Sequence, residues 1–451
     1  MSLQTSPFTL RHEFRATFRL AAPIVLAQLA QMGMGVTDTV MLGALGPEAL
    51  AAGGLGANIF FTLATVLQGL VLSVGILVAH ARGAGAEEKI APLLKAGLTL
   101  ATLGALPLML IMWNIEDLLV ALGEDAHLAH DIARYVQILL FASPAFMWLG
   151  AQRSYLVAMG RPRVVLMVAL VALAGNAILN YGLMHGRFGL PNMGYLGSCT
   201  ATLIALWGSA ITIGITIRRT KPAGTNAPVQ WDVMKELIAL GWPIAVTMGV
   251  EIVLFLVGGL MMSLLGATAL AAHQVALNVA SVTFMVPLGM AQAANARVGY
   301  HMGAGDPRGA RRAAAAAFVL GLSFMAVAAS VMLAAPRAIA SLFNLDASRA
   351  GDADVIALIV NLLAICAFFQ IFDGAQTIAA GALRGLKDTR VPAMLAGLSY
   401  WAVGFPVAWL LGFPMGWGAT GVWWGLALSL LVAAIVLNAR FWRLSARYVD
   451  A

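Results

Sequence analysis

The sequence predicts an all-α polytopic membrane protein with twelve transmembrane helices in two six-helix halves. Three observations carry that prediction. The composition is too apolar for a water-facing surface, apolar stretches of membrane-spanning length recur along the whole chain, and the second half repeats the first at an offset of 220 residues. Of 451 residues, 61% are hydrophobic and 10% charged, and the mean hydropathy is +0.87. A water-soluble chain carries about 25% charged residues, so lipid is the solvent for most of this one. The net charge of +7 is scattered through short connecting segments. It forms no basic stripe and no aromatic platform, which excludes a nucleic-acid partner.

The spans are expected near 17–42, 52–79, 92–114, 132–155, 163–185, 196–217, 238–264, 271–299, 313–340, 355–382, 392–412 and 420–440. Each is long enough to cross roughly 30 Å as a helix. Gly, Pro and charge clusters punctuate them, for example "ARGAGAEEK", "AMGRPR" and "GAGDPRGARR". The segment before the first span has basic residues but no short apolar region with a small-residue cleavage site, and reads as a cytoplasmic tail. The two cysteines, Cys199 and Cys366, lie inside apolar runs and offer neither a disulfide framework nor zinc-type spacing.

Charge tests the count. With both termini cytoplasmic, all but four of the 27 Lys and Arg residues fall on the inner side, the exceptions being Arg134, Arg187, Arg337 and Arg349. That is the positive-inside asymmetry of an even number of spans. The outer connections are acidic, Glu116, Asp117, Glu124, Asp125 and Asp346 among them. They read as solvated loop charge or as a field that draws cations to an outer vestibule.

The repeat sets "LAAPI" (20–24) on "LGWPI" (240–244), "LGPEALAA" (45–52) on "LGATALAA" (265–272) and "GAG" (83–85) on "GAG" (303–305). Further on, "GAQ" at 150–152 meets "GAQ" at 374–376, the offset having grown to 224. The expected organisation is an N-terminal lobe at 1–217, a polar connector at 218–236 and a C-terminal lobe at 237–451. Both halves enter the membrane from one side, so a pseudo-twofold along the membrane normal should relate them. Pro23 matches Pro243, which marks both as helix kinks, and Asn58 matches Asn278, a pair expected to bond between helices.

Three acids lie within spans: Asp38, Glu251 and Asp373. Across the repeat they face Gly258, Gln31 and Leu149, so none has an acidic counterpart. A need of the shared fold would appear twice. A carboxylate within a span costs roughly 2.5–3.5 kcal/mol on insertion scales, and no Lys or Arg within a span stands out as partner. Counting about 1.5 Å per residue from the inner ends puts Glu251 and Asp373 within roughly 5 Å in depth. They can therefore share a site in which a proton or a cation relieves their repulsion. Asp38 sits higher, in the other half. Asn176 and Asn180, spaced i and i+4, face one side of their helix and either line a polar cavity with Asp38 or tie that helix to its neighbours. The histidines, including His273 and His301, read as interfacial or packing residues. No nucleotide-binding loop, nucleophile elbow or zinc-protease motif is present, and no enzyme is expected.

The stretches "MGMGVTDTVMLGALGPEALAA" and "FFQIFDGAQTIAAGALRGLKDTRVP" resemble the multidrug and toxin extrusion (MATE) family, in its NorM-like branch. The resemblance covers nearly the whole chain. It implies a secondary active transporter that exchanges Na+ or H+ for small organic cations by alternating access, without a cofactor, as a monomer in the lipid of the bacterial inner membrane. Glu251 and Asp373 match the family's acids on the seventh and tenth helices and are the expected coupling site, with any bound Na+ transient. Asp38, Asn176, Asn180, Gln274 and Phe369 are the expected substrate cavity. The sequence departs from related patterns twice. The DinF-like branch has aspartate where Asn180 stands, which argues against an ion site wholly in the N-terminal half. Some relatives have tyrosine where Phe369 stands, so here only an aromatic face is offered to a cation. The alternatives are a lipid-linked oligosaccharide flippase of the same superfamily, which needs a cationic cavity, and a membrane enzyme or structural subunit.

Overall fold

A computed structural model describes residues 10–220, 229–343, 345, 349 and 351–450, and all regular structure among them is helical. The first nine residues, residues 221–228 of the 218–236 connector and the outer acid Asp346 lie outside the described residues. Among the described residues eleven helices are long and apolar enough to cross a membrane, and a bent pair, α4, makes a twelfth: α1 (Arg11–Leu45), α2 (Pro47–Gly83), α3 (Glu87–Trp113), α4 (Ala126–Leu140 with Ser143–Ala158), α5 (Pro162–His185), α6 (Leu196–Arg219), α7 (Trp231–Leu264), α8 (Ala267–Gly303), α9 (Pro307–Ala334), α10 (Asp352–Gly385), α11 (Arg390–Gly412) and α12 (Gly418–Asp450). The two pieces of α4 meet at 49°. That bend falls just before Pro144, whose ring crowds the preceding turn and gives no N–H to the ladder.

Most helices overrun the apolar stretches that announced them, because the i→i−4 hydrogen-bond ladder runs on into the polar flanks. The ninth span is the exception. Expected to reach 340, it stops at Ala334, and a separate short helix starts at Pro336. The residue before a proline is pushed out of the helical region, and Ala335 sits at φ −134°, ψ 44°.

Contacts divide the chain into two units, but not at the connector. One unit is Leu26–Ala245; the other is Met1–Val25 with Val246–Ala451. Both divisions fall inside a helix, α1 and α7, two residues beyond Pro23 and Pro243. The N-terminal leg of each first helix thus belongs to the unit built from the other half of the sequence. Glycine lets each leg in. A Cβ on Gly69 would lie 2.6 Å from the Ala245 Cα, and one on Gly289 would lie 2.5 Å from a Val25 methyl. Both members of this pair of contacts match across the 220-residue offset, so the repeat extends to the close backbone approach itself.

The two legs are anchored by different physics. Glu13, on the α1 leg, is fully buried. Arg297 Nη2 donates to both its carboxylate oxygens at 2.7 Å, and His301 Nε2 lies 3.1 Å from Oε1. His301 Nδ1 in turn lies 3.2 Å from Asp306, which caps α9 by accepting from Gly309 N. On the α7 leg the position corresponding to Glu13 is the half-buried Val233, and the neighbouring Met234 and Leu237 are buried. Sequence pattern placed Glu13 in the tail; the helix instead begins early enough to bury it, against His301, which fits the packing alternative of its reading.

Candidate functional site

Glu251 and Asp373, the acids expected to couple transport, meet in the unit that includes Val246–Ala451. Asp373 and Gln376 stand three residues apart on α10, hence on one face. The Gln376 amide Nε2 donates to Asp373 Oδ1 at 3.1 Å and to Glu251 Oε1, on α7, at 3.2 Å. One amide therefore holds the two carboxylate oxygens within about 6 Å of each other. The amide is itself held, because Tyr400 Oη donates to Gln376 Oε1 at 2.7 Å. Asp373, Gln376 and Tyr400 are all buried, while Glu251 is partly open. Tyr400 belongs to a π-helical turn, Ser399–Gly404, that interrupts α11. Such turns insert one residue into the helical register and gather at functional sites. Among the described residues no group of three or more His, Cys, Asp or Glu side chains is arranged to hold a metal ion. The oxygens of the two carboxylates are hard donors that suit Na+ or a proton rather than a transition metal.

The other unit holds a single acid with donors of its own. Asn180 Nδ2 donates to Asp38 Oδ1 at 2.6 Å, and Thr202 Oγ1 donates to Oδ2 at 2.8 Å. Asn176 Nδ2 donates to the Thr202 hydroxyl at 3.2 Å, which orients it. Asp38, Asn176, Asn180 and Thr202 are all buried. The i, i+4 spacing on α5 thus puts both amides on the face that meets α1 and α6. Hydrogen bonds to a charged group contribute about 1.5–3 kcal/mol each. Two of them offset the roughly 2.5–3.5 kcal/mol cost of placing this carboxylate within a span. The side-chain carbonyls of Asn176 and Asn180 are buried without partners, so acceptor oxygens remain for a cationic guest.

The remaining expected cavity residues stand apart from these clusters. Phe369 is buried in the apolar core, its ring 5.6 Å from that of Trp423 and edge-on to it. Gln274 is exposed, and its backbone carbonyl accepts from Asn278 Nδ2. Asn58 and Asn278 do not bond between helices. Asn58 accepts from Thr62 and Asn278 donates to Gln274, each within its own helix and each exposed, because a short amide on an outward face reaches only its own preceding or following turn. Two guanidiniums correct the expectation that no basic residue within a span bears on the polar positions. Arg384, at the inner end of α10, lies within electrostatic reach of Glu251. Arg153, on α4, donates to Gln31, which occupies the Glu251 position of the repeat.

Three side chains of these clusters escaped the sequence. Gln376 had a signal, since it sits in the repeated "GAQ" one helical turn from Asp373. Tyr400 had none, because a π turn breaks the periodicity that assigns a face. Thr202 had none either, being one hydroxyl among many on apolar helices.

The MatE family model matches residues 23–182 and 243–410, two stretches that begin at the paired prolines and together hold Asp38, Asn176, Asn180, Glu251, Asp373, Gln376 and Tyr400. The chain belongs to the MatE family. Its relatives place it in the NorM-like branch. It is 49% identical over 446 residues to the probable multidrug resistance protein NorM of Burkholderia mallei, covering 98% of this chain and 95% of that one. To the multidrug resistance protein NorM of Burkholderia vietnamiensis it is 48% identical, with 94% and 93% covered. The MatE fold extends to distant structures. The eukaryotic MATE transporter AtDTX14 superposes with a TM-score of 0.84 at 20% identity, covering 98% of this chain and 99% of that one. A MOP superfamily transporter from Pyrococcus furiosus superposes at 0.88 with 17% identity over the full length of both.

Proposed function

We propose that this MatE protein is a secondary active multidrug efflux transporter of the bacterial inner membrane. It exchanges Na+ or H+ for small organic cations by alternating access, with both termini cytoplasmic and, as the moving bodies, the two units that divide within α1 and α7 rather than the lobes 1–217 and 237–451. It functions as a monomer and needs no cofactor. It is a transporter and not an enzyme. The observation that carries this reading is the pair Glu251 and Asp373 on one shared amide. Two acids with a single donor between them lack solvation until a cation joins them, so occupancy of the site changes at little cost. Asp38, with donors of its own and spare amide oxygens beside it, serves the organic cation instead. The name of the NorM relatives, multidrug resistance protein, supports the same substrate class.

In this cycle the coupling ion binds between Glu251 and Asp373 from outside, favouring the state open to the cytoplasm. The drug cation then engages Asp38, and ion release permits its export. The flippase alternative requires a cationic cavity for pyrophosphate, whereas three carboxylates occupy the spans here. Purified protein in liposomes, given a Na+ gradient or an H+ gradient separately and scored for transport of a cationic dye, tests the reading. One gradient should drive the dye, and Glu251→Gln and Asp373→Asn should each remove its effect. Dye movement that ignores both gradients, or both substitutions, defeats it.

A further inference from the structure

The cycle just described leaves the charge of Arg153 unused. Arg153 stands on α4, five residues before that helix ends at Ala158, and its guanidinium donates to Gln31 on α1. The repeat makes this contact informative. Gln31 corresponds to Glu251, and Gln152, beside Arg153, corresponds to Gln376. Where one unit sets an amide against an acid, the other sets a guanidinium against an amide. Arg153 itself corresponds to Thr377, so the shared fold does not require a positive charge there.

An arginine within a span costs about as much as an acid, on the order of 2.5–3.5 kcal/mol on insertion scales, and such residues face partners or polar cavities. Arg153 has no carboxylate partner among the described residues; burial alone acts on it, and its one hydrogen bond is to a neutral amide. Its Nε and the neighbouring Gln152 Oε1 are buried without partners. Most of the five donors of a planar fork are therefore unspent. Both Arg153 and Gln31 are partly open. Gln31 and Asp38 are seven residues apart on α1, two turns, so they share a face with about 10 Å between them.

The geometry points to an anion subsite: Arg153, seated against Gln31, receives a carboxylate or phosphate group. On a compound carrying both signs, the cationic end meets Asp38 two turns away along α1. The inference rests on the efflux reading and extends it to zwitterions. Guanidinium geometry matches both oxyanions in a bidentate fork, so the anion can come from a transported compound or from a lipid headgroup.

A matched dye pair separates these. Binding of a rhodamine with a free carboxylate, and of its methyl ester, is titrated against the full-length protein in nanodiscs of pure phosphatidylcholine and in discs that also hold phosphatidylglycerol. In pure phosphatidylcholine, Arg153→Gln should weaken the carboxylate dye about tenfold while leaving the ester within about twofold, and Arg153→Lys should fall between. Gln31→Met, which keeps the charge but removes its seat, should weaken the carboxylate dye alone by about threefold. If the anion is the headgroup of an anionic lipid, Arg153→Gln shifts both dyes equally, and only in the phosphatidylglycerol discs. Equal change for both dyes in phosphatidylcholine, or no change in either disc, overturns the subsite. Binding of the ester by the unaltered protein reports on the efflux reading independently.

Discussion

Asp38 receives two donors of its own, the Asn180 amide and the Thr202 hydroxyl, whereas Glu251 and Asp373 divide one, the Gln376 amide. Each unit is built on the same repeated frame, so the difference is not a demand of folding. It concerns how completely a carboxylate within a span is solvated by the protein. A well-solvated anion persists through a cycle and is suited to recognising a cationic guest. An under-solvated pair waits for a cation and is suited to sensing one. The same contrast appears at the legs, where a buried Glu13–Arg297–His301 cluster anchors α1 and apolar packing anchors α7.

The sharpest way to break the comparison is to neutralise one acid in each unit. Asp373→Asn should abolish the response of transport to the ion gradient while leaving dye exchange at zero gradient intact. Coupling energies of 1–3 kcal/mol correspond to a loss of about 5–150-fold. Asp38→Asn should do the reverse, weakening dye binding while the remaining transport still follows the gradient. Flux with and without a gradient, measured on both variants, checks the pair. Identical behaviour of the two would mean that the units do not divide the work.

Next in size is the shared donor. Gln376→Leu removes the only side chain among the described residues that bonds both acids, and leaves buried acceptors unsatisfied at about 1–3 kcal/mol. That cost falls on the ion-free state. The expected result is that the ion concentration for half-maximal transport drops about tenfold and turnover slows, because release becomes the difficult step. Ion titration of initial rates reads both quantities.

How much of this was legible follows from what each feature leaves in a sequence. Spans, repeat and intramembrane acids were legible because hydrocarbon punishes exceptions, so Asp38, Glu251 and Asp373 stand out from their surroundings. The sharing of a site by Glu251 and Asp373 was legible from depth counting alone. Partners were not, because Thr202 and Gln376 carry no charge, and Tyr400 lies beyond a π turn that resets which face it occupies. Glu13 was misread for the opposite reason. A charge near a terminus looks solvated until the helix is seen to start at its doorstep. The crossing of α1 and α7 between units left only a trace, the matched prolines and the matched glycines that admit the legs.

Thr202→Val asks whether donor number is what separates the two acids. The substitution keeps the shape and removes one of the two bonds to Asp38. Its solvation then resembles that of the pair, and the coupling ion should begin to compete at Asp38. Dye affinity measured without a gradient should become about fivefold more dependent on ion concentration, an effect of about 1 kcal/mol. Dye affinity that weakens without acquiring ion dependence would assign Thr202 to packing.

The smallest effect belongs to Tyr400, which touches neither acid. Its hydroxyl donates to the Gln376 carbonyl oxygen, and that bond fixes which end of the amide faces the carboxylates. Without it the amide is free to turn, and for part of the time it presents an oxygen to two anions. Tyr400→Phe removes one neutral hydrogen bond, worth about 0.5–1.5 kcal/mol net. The shared donor weakens but does not vanish, so the half-saturating ion concentration should drop about threefold, in the direction of Gln376→Leu. A positioning role has a signature that packing lacks: in the Gln376→Leu background, Tyr400→Phe should add nothing to the ion titration. Additive effects of the two substitutions would show that the phenol acts on the pair by another route.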